Sequence, residues 1–108
     1  MGIVSGLKSI FTVRGKATSL YERGMRNAKQ DRFEAAINDY SAALELSNVP
    51  NDIKAMALFN RGLAYAAVKD EAKAKVDLQA VMSMDGAPSS VTTAAREKLE
   101  RMKKRAKE

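Results

Sequence analysis

The carboxylates of aspartate and glutamate are the first side chains in this sequence to consider for acid–base chemistry. The chain of 108 residues contains no histidine and no cysteine, so it lacks the common zinc ligands, the usual base of a nucleophilic triad and any thiol nucleophile. Its acids, such as Asp39 and Glu45, have no neighbouring base, glycine-rich phosphate loop or metal-ligand spacing. We interpret them as solvated surface charges and expect no catalytic residue, no metal site, no cofactor and no enzymatic activity.

Cations are concentrated at the two ends of the chain, whose net charge is +6. Residues 1–16 carry three cations and no anion, and residues 96–108 carry seven cations and three anions. Such tails could attract nucleic acid or an anionic membrane surface. However, no aromatic residue interleaves with the C-terminal cations and no base-reading motif is present. Cations also interact favourably with a helix C-terminus, so electrostatic binding through the tails is an alternative function and not the favoured one.

The elements that must position any site are predicted to be helices. Good helix formers dominate the chain from Ala17 onward, and the only prolines, Pro50 and Pro88, divide it into segments. No apolar run approaches the roughly 20 residues that span a bilayer. We therefore expect one small, soluble, cytoplasmic unit of the all-α class.

Two stretches of the chain share one layout, "ERGMRNAKQDRFEAAINDY" from Glu22 and "NRGLAYAAVKDEAKAKVDL" from Asn60. Gly24 in the first corresponds to Gly62 in the second. A glycine inside a helix costs roughly 0.5–1 kcal/mol relative to alanine, which indicates that a second backbone approaches closely at this point. We expect each glycine to be a point where two antiparallel helices cross, with large side chains filling the space around it. The residues predicted to pack in this way are Gly24, Ala36, Tyr40, Gly62, Tyr65, Ala74 and Leu78.

This pattern resembles the tetratricopeptide repeat. The residues that fit its signature are Leu20, Gly24, Phe33, Ala36, Tyr40 and Ala43 in the first copy, and Gly62, Tyr65 and Ala74 in the second. The positions that depart from it are Arg23, Asn27, Glu71, Leu78 and Val81. The resemblance implies antiparallel helix hairpins stacked as a short right-handed superhelix. Repeat 1 is assigned to residues 17–50 and repeat 2 to residues 51–88.

The interval from Gly24 to Gly62, which we call the repeat spacing, is four positions longer than the period typical of the family. We therefore expect the first helix of repeat 2, starting near Asp52, to be one turn longer than that of repeat 1. Four helix starts are predicted from capping signals: Ser19 with Glu22, Asp31 with Glu34, Asn51, and Asp70.

The two ends of the chain have separate interpretations. Residues 89–108 follow Pro88 with an apolar stripe at helical spacing, which predicts a capping helix with a basic end. Residues 1–16 form a segment with apolar residues at Ile3, Val4, Leu7, Ile10 and Phe11. Three alternatives stay open for this segment: a short helix packed on the first hairpin, a flexible tail, or a segment that enters a groove or a membrane surface.

The resemblance also implies a function, since the first helices of successive repeats in this family line a concave face that binds peptides or helices of partner proteins. Carried onto this chain, the inner-face positions are Thr18, Tyr21, Met25, Ala28 and Lys29, then Met56, Phe59, Asn60, Leu63, Ala66 and Ala67. We expect partner binding through Tyr21, Met25, Lys29, Met56, Phe59, Asn60 and Leu63.

A scaffold or adaptor is therefore the favoured function. The Asn60 amide could offer one donor and one acceptor to an extended peptide. The lysine and asparagine clamp with which some members hold a C-terminal carboxylate is mostly lacking, since Tyr21 and Met25 occupy its positions. Two alternatives remain: the inner face packs within the chain, or another copy fills the groove and the protein is a homodimer.

Overall fold

The computed structural model describes residues 12–107, which form five α-helices and no strand. The helices are α1 (Val13–Lys29), α2 (Phe33–Glu45), α3 (Asn51–Ala67), α4 (Glu71–Ser83) and α5 (Ser89–Lys107). The all-α class predicted from the sequence is confirmed. The expectations for Ile3, Val4, Leu7, Ile10 and Phe11 lie outside the described residues.

The helices form a two-layered stack. Each helix packs against its neighbours in the chain, and the turns between them are short, so adjacent helices are antiparallel. Among residues 12–107, the only contacts between helices that are not consecutive join α1 to α3 and α3 to α5. The odd-numbered helices therefore form one layer and the even-numbered helices α2 and α4 the other.

One constant period governs the whole described chain. The helices of the first layer begin at Val13, Asn51 and Ser89, each one repeat spacing after the last. Both α1 and α3 have 17 residues, so the expectation that the second would be a turn longer is wrong. The additional turn is present in both copies, because α1 begins at Val13, four residues before Ala17, where repeat 1 was expected to begin.

The turns inside the two hairpins have the same conformation. Asp31 and Lys69, which occupy equivalent positions in the two repeats, both have positive φ angles, of 60° and 68°. After α1, the Arg32 amide donates to the Asn27 carbonyl at 2.8 Å, and after α3 the Asp70 amide donates to the Tyr65 carbonyl at 2.9 Å. These are Schellman-type endings, which satisfy helix carbonyls that would otherwise lack partners.

The helix starts differ from the predicted caps at three of four positions. Ser19 lies inside α1, whose N-cap is Thr12 with its hydroxyl accepting from the Gly15 amide at 3.1 Å. Asp31 adopts the left-handed turn conformation and is not a cap. Asn51 is the first residue of α3, after the N-cap Pro50. The prediction for Asp70 is confirmed, since its carboxylate accepts from the Lys73 amide at 3.2 Å.

Both repeated glycines lie inside helices and face the partner helix of their own hairpin. A β-carbon added to Gly24 would lie 2.5 Å from Cε1 of Tyr40. One added to Gly62 would lie 3.1 Å from Cγ of Leu78 and 3.4 Å from the Ala74 carbonyl oxygen. The close neighbour at Gly24 is therefore an aromatic ring and not a backbone, so the glycine makes room for a large side chain in the crossing.

The main core cluster joins the second hairpin to α5. Its buried members are Leu58, Ala74, Leu78, Val81, Ala95 and Met102. Ala95 and Met102 lie on α5, and both are almost completely buried. The last helix therefore covers the apolar outer face of the second hairpin, as a capping helix must.

On α5, polar residues occupy positions that are small or apolar on α3. On α3, the face toward α4 carries Ala55, Leu58 and Gly62, which are buried. The corresponding positions of α5, one repeat spacing later, are Thr93, Arg96 and Glu100, all exposed. Burying these polar side chains would cost free energy, so this face of α5 differs from the face with which α3 packs on α4.

Candidate functional site

Three of the predicted partner-binding residues line one open pocket between α1 and α3. Met25 and Lys29 come from the second half of α1, and Asn60 comes from α3. Ala28 and Tyr40 complete the lining of this space of about 330 Å³. We call this space the inner pocket. It lies in the first layer, with Tyr40 of α2 reaching it from behind.

The side chains of Tyr21 and Asn60 connect α1 to α3 beside the inner pocket. The Asn60 amide nitrogen donates to the Tyr21 hydroxyl oxygen at 2.9 Å and to the Met56 carbonyl at 2.9 Å. Burial raises the pKa of Tyr21, although the hydrogen bond from Asn60 opposes the shift. At the helix starts, a second connection joins Arg14 to Asp52 at 3.2 Å, and its hydrogen bonds lower the pKa of Asp52.

The sequence suggested that Asn60 could offer a partner both a hydrogen-bond donor and an acceptor, but the structure leaves only the acceptor. Both of its amide hydrogens are used within the chain, so the remaining capacity is that of its carbonyl oxygen Oδ1. Among residues 12–107, no group donates a hydrogen bond to this oxygen, and no buried side-chain oxygen is left without a partner. Oδ1 is therefore accessible from outside and available to accept a hydrogen bond.

Tyr40 was predicted to be a packing residue, and it also lines the inner pocket. Its ring is buried beside Gly24 and lies 5.8 Å from the Tyr21 ring, centroid to centroid. Its hydroxyl has no hydrogen-bond partner among residues 12–107, and because Tyr40 is only 1% exposed, its side chain forms the floor of the pocket and presents very little surface there. Burial raises the pKa of Tyr40 to about 12. The hydroxyl is therefore protonated at neutral pH and can donate a hydrogen bond.

The other predicted partner-binding residues do not line the inner pocket. Phe59 is half-buried and packs against the core cluster, so the structure places it among the residues that hold α3 in the fold. Met56 and Leu63 are half-buried on the same helix. These two side chains can support the inner face, but they do not line the inner pocket.

Each hairpin contains one Arg–Asp ion pair that joins its two helices. The sequence interpretation missed both ion pairs. In the first, Arg23 Nη2 lies 2.7 Å from Asp39 Oδ1, and the Asn27 amide donates to Asp39 Oδ2 at 2.7 Å. In the second, Arg61 Nε and Nη2 donate to the two oxygens of Asp77, both at 2.7 Å.

The carboxylates of both ion pairs are buried. Asp39 is 6% exposed, so the interpretation of it as a solvated surface charge is wrong. A buried carboxylate is tolerated because an arginine beside it supplies opposite charge and hydrogen bonds. The signal was present in the sequence, since the repeat spacing separates Asp39 from Asp77 just as it separates Arg23 from Arg61.

Arg61 also connects the two repeats. Its Nη1 donates to the Ser41 hydroxyl on α2 at 3.0 Å, while its other nitrogens hold Asp77 on α4. Hydrogen bonding to Asp77 raises the pKa of Arg61. The Tyr65 ring lies between two cations, with Arg61 Cζ 5.7 Å and Lys73 Nζ 5.6 Å from its centroid. Ala36 and Ala74 are fully buried at the helix crossings.

The described residues contain no cluster of three or more acidic groups placed to hold a metal ion. Within the same part of the chain, no helix combines the length and the apolar character that crossing a bilayer requires. No family model and no solved structure matches the chain. The inner pocket itself offers hydrogen bonding at Asn60 Oδ1 and the Tyr40 hydroxyl, the cation of Lys29, and apolar contact with Met25 and Ala28.

Proposed function

We propose that this protein is an interaction module, with tetratricopeptide-like hairpins, that binds a segment of a partner protein at the inner pocket. The observation that carries the proposal is an available acceptor, Asn60 Oδ1, at one open apolar pocket whose floor is the buried Tyr40 with its unpaired hydroxyl. A peptide backbone presents the complementary pair, an N–H and a C=O in each residue. We expect it to act in the cytoplasm.

The pocket walls favour a partner with an apolar side chain. Met25 is 36% exposed, one of four large apolar residues with such exposure among residues 12–107. A methionine side chain is flexible and adapts to partners of irregular shape. Lys29 is exposed at the rim, where its ammonium would favour an acidic neighbour on the partner.

The pocket is also preorganised. Tyr40 is held by the crossing at Gly24, and Asn60 is fixed by its two hydrogen bonds. Side chains that are already ordered lose little entropy when a ligand binds. A short segment can therefore bind here without extensive rearrangement of the helices.

The test begins by selecting peptides that bind the full chain from a random display library. The ε-methyl groups of the protein's methionines are then labelled so that binding of a selected peptide can be followed by NMR. We expect a selected peptide to shift the Met25 methyl signal and not that of Met82, which lines the space between α4 and α5. Replacing Tyr40 with phenylalanine keeps the ring and removes the donor. This change should weaken binding about 2- to 10-fold, the effect of one hydrogen bond.

Matched variants distinguish a loss of contacts in the inner pocket from a general effect on the fold. Tyr65→Phe removes a hydroxyl outside the pocket and should leave affinity unchanged. Met25→Glu should abolish binding, whereas Val76→Glu places the same charge on α4, at a side chain that is 65% exposed, and should not. Peptides that bind the two tyrosine variants equally would contradict the proposal. Self-association that fills the pocket would instead appear as a concentration-dependent mass in sedimentation experiments.

A further inference from the structure

A second space lies between α4 and α5, on the other side of the second hairpin. Met82 of α4 and Leu99 of α5 supply its apolar surface. Lys75, Arg96 and Lys103 supply three cations, and the volume is about 320 Å³. We call this space the α4–α5 groove. It has no residue in common with the inner pocket.

The corresponding junction between α2 and α3 is more closely filled. Ile37, Ser41 and Leu44 of α2 are half-buried there, and Ser41 accepts a hydrogen bond from Arg61 at 3.0 Å. The equivalent residues of α4 are Lys75, Gln79 and Met82, of which the first two are exposed. Leu99 occupies the position on α5 that is equivalent to Arg61, so it cannot repeat the hydrogen bond.

Among residues 12–107, no hydrogen bond joins α4 to α5. Their ion-pair contact within this range is Arg105 with Glu71 at 4.0 Å, away from the groove. Lys75, Arg96 and Lys103 have neither an ion pair nor a side-chain hydrogen bond in this part of the chain. Glu100 is the single anion in the lining, so the groove has an excess of two positive charges.

We propose that the α4–α5 groove binds an acidic amphipathic helix of a partner protein. An apolar side chain of that helix would lie on Met82 and Leu99, and its carboxylates would pair with Lys75, Arg96 and Lys103. Carboxylates one helical turn apart can approach these cations while avoiding Glu100. Charge complementarity with an apolar contact at the centre is the arrangement typical of specific protein interfaces.

Nucleic acid fits the groove less well. No aromatic side chain lines it to stack on a base, and Glu100 lies among the cations where a continuous phosphate backbone would pass. A flat bilayer surface also fits poorly, because the apolar residues are recessed between two helices and do not project.

The test uses an acetylated, amidated peptide of about 16 residues composed of leucine, alanine and glutamate, long enough to form roughly four helical turns. Its leucines occupy one face and its glutamates flank them. We expect it to shift the Met82 methyl signal of the full chain and to leave Met25 and Met56 unchanged. A response at Met25 alone would place the peptide in the inner pocket and would overturn the α4–α5 proposal without affecting the proposed function.

Two charge-reversal variants with the same change in net charge make the test specific. Lys75→Glu, Arg96→Glu and Lys103→Glu together should weaken binding at least tenfold. Arg101→Glu, Lys104→Glu and Lys107→Glu together change exposed cations of α5 that do not line the groove, and should weaken it less than about threefold. Equal losses in the two variants would mean attraction by net charge alone and would overturn the proposal.

Two further measurements complete the test. If the groove variant does not show wild-type helicity by circular dichroism, Lys103→Glu alone, at an exposed position, replaces it and should still weaken binding more than Lys104→Glu. Single-stranded DNA of equal charge and vesicles containing phosphatidylserine are tested as competitors. Tighter binding of either one at Met82 than of the acidic peptide would overturn the choice of partner.

Discussion

At the residue scale, two glycines in equivalent positions permit helix crossings of different tightness. Gly24 faces the ring of Tyr40, and Gly62 faces the smaller Leu78. The larger side chain leaves less room at the first crossing, where an added β-carbon would lie 2.5 Å from the ring. The same substitution should therefore have different effects in the two repeats.

We expect Gly24→Ala to lower the free energy of unfolding by about 2 kcal/mol, because overpacking exceeds the gain in helix propensity of roughly 1 kcal/mol. Gly62→Ala should change it by less than about 1 kcal/mol, since the Leu78 side chain needs to move only a few tenths of an ångström. Urea unfolding followed by circular dichroism measures both values.

A second substitution identifies the cause of the Gly24→Ala effect. Tyr40→Leu reproduces at the first crossing the side chain found at the second, so it should restore part of the stability lost in Gly24→Ala. A double-mutant cycle gives the coupling between the two positions. Additive effects would show that Tyr40 is not what limits the space at Gly24.

At the element scale, the two Arg–Asp pairs show how each first-layer helix is attached to its partner. They occupy equivalent positions but differ in exposure: the Arg61 side chain is 21% exposed, and that of Arg23 is 59% exposed. An exposed guanidinium that loses its carboxylate can be hydrated by water, whereas a more buried one cannot.

Replacing Asp77 with alanine should lower the free energy of unfolding by about 3 kcal/mol, because Arg61 keeps its charge without the carboxylate that balances it. Asp39→Ala should lower the free energy of unfolding by less, because water can hydrate the exposed Arg23 guanidinium. Lys54→Ala, at an exposed position of α3, is the control for loss of a charged side chain. If the loss at Asp39 equalled or exceeded that at Asp77, burial of the arginine would not be the deciding factor.

At the scale of the whole molecule, α5 completes the core of the second hairpin. Met102 is 2% exposed and belongs to the same cluster as Leu58 and Leu78. The α5 positions equivalent to Leu58 and Gly62 of α3 carry Arg96 and Glu100, which are exposed and border the α4–α5 groove. The five helices of residues 12–107 therefore form two hairpins and one further helix packed on the second hairpin.

Met102→Ala should lower the stability of the whole described unit by about 2–4 kcal/mol, since it leaves a cavity in a core shared by α3, α4 and α5. The expected result is one cooperative transition at lower denaturant concentration, seen equally by far-ultraviolet circular dichroism and by tyrosine fluorescence. Lys104→Ala should have little effect. A separate early transition, with the main one unchanged, would mean that α5 unfolds independently.

The sequence by itself determined the helical class and the period of the repeat. Good helix formers without internal proline specify helices locally, and Gly24 with Gly62 marked the crossings. The same repeat spacing also relates features that were not recognised, because it separates Asp39 from Asp77, Pro50 from Pro88, and Asn48 from Gly86, which both have positive φ angles, of 62° and 78°. The length of α1 was misjudged because the comparison with the shorter tetratricopeptide period suggested that only the second copy was longer.

Only the tertiary structure decided which polar atoms are available to a partner. Asn60 donates both amide hydrogens to groups of the same chain. The side chain of Tyr40, from the second layer, lines the inner pocket. Phe59 turns toward the core, although its spacing matches that of inner-face residues. Helical periodicity gives the face on which a side chain lies, but its hydrogen-bond partners come from helices that are distant in sequence. Those contacts exist only after the helices have packed.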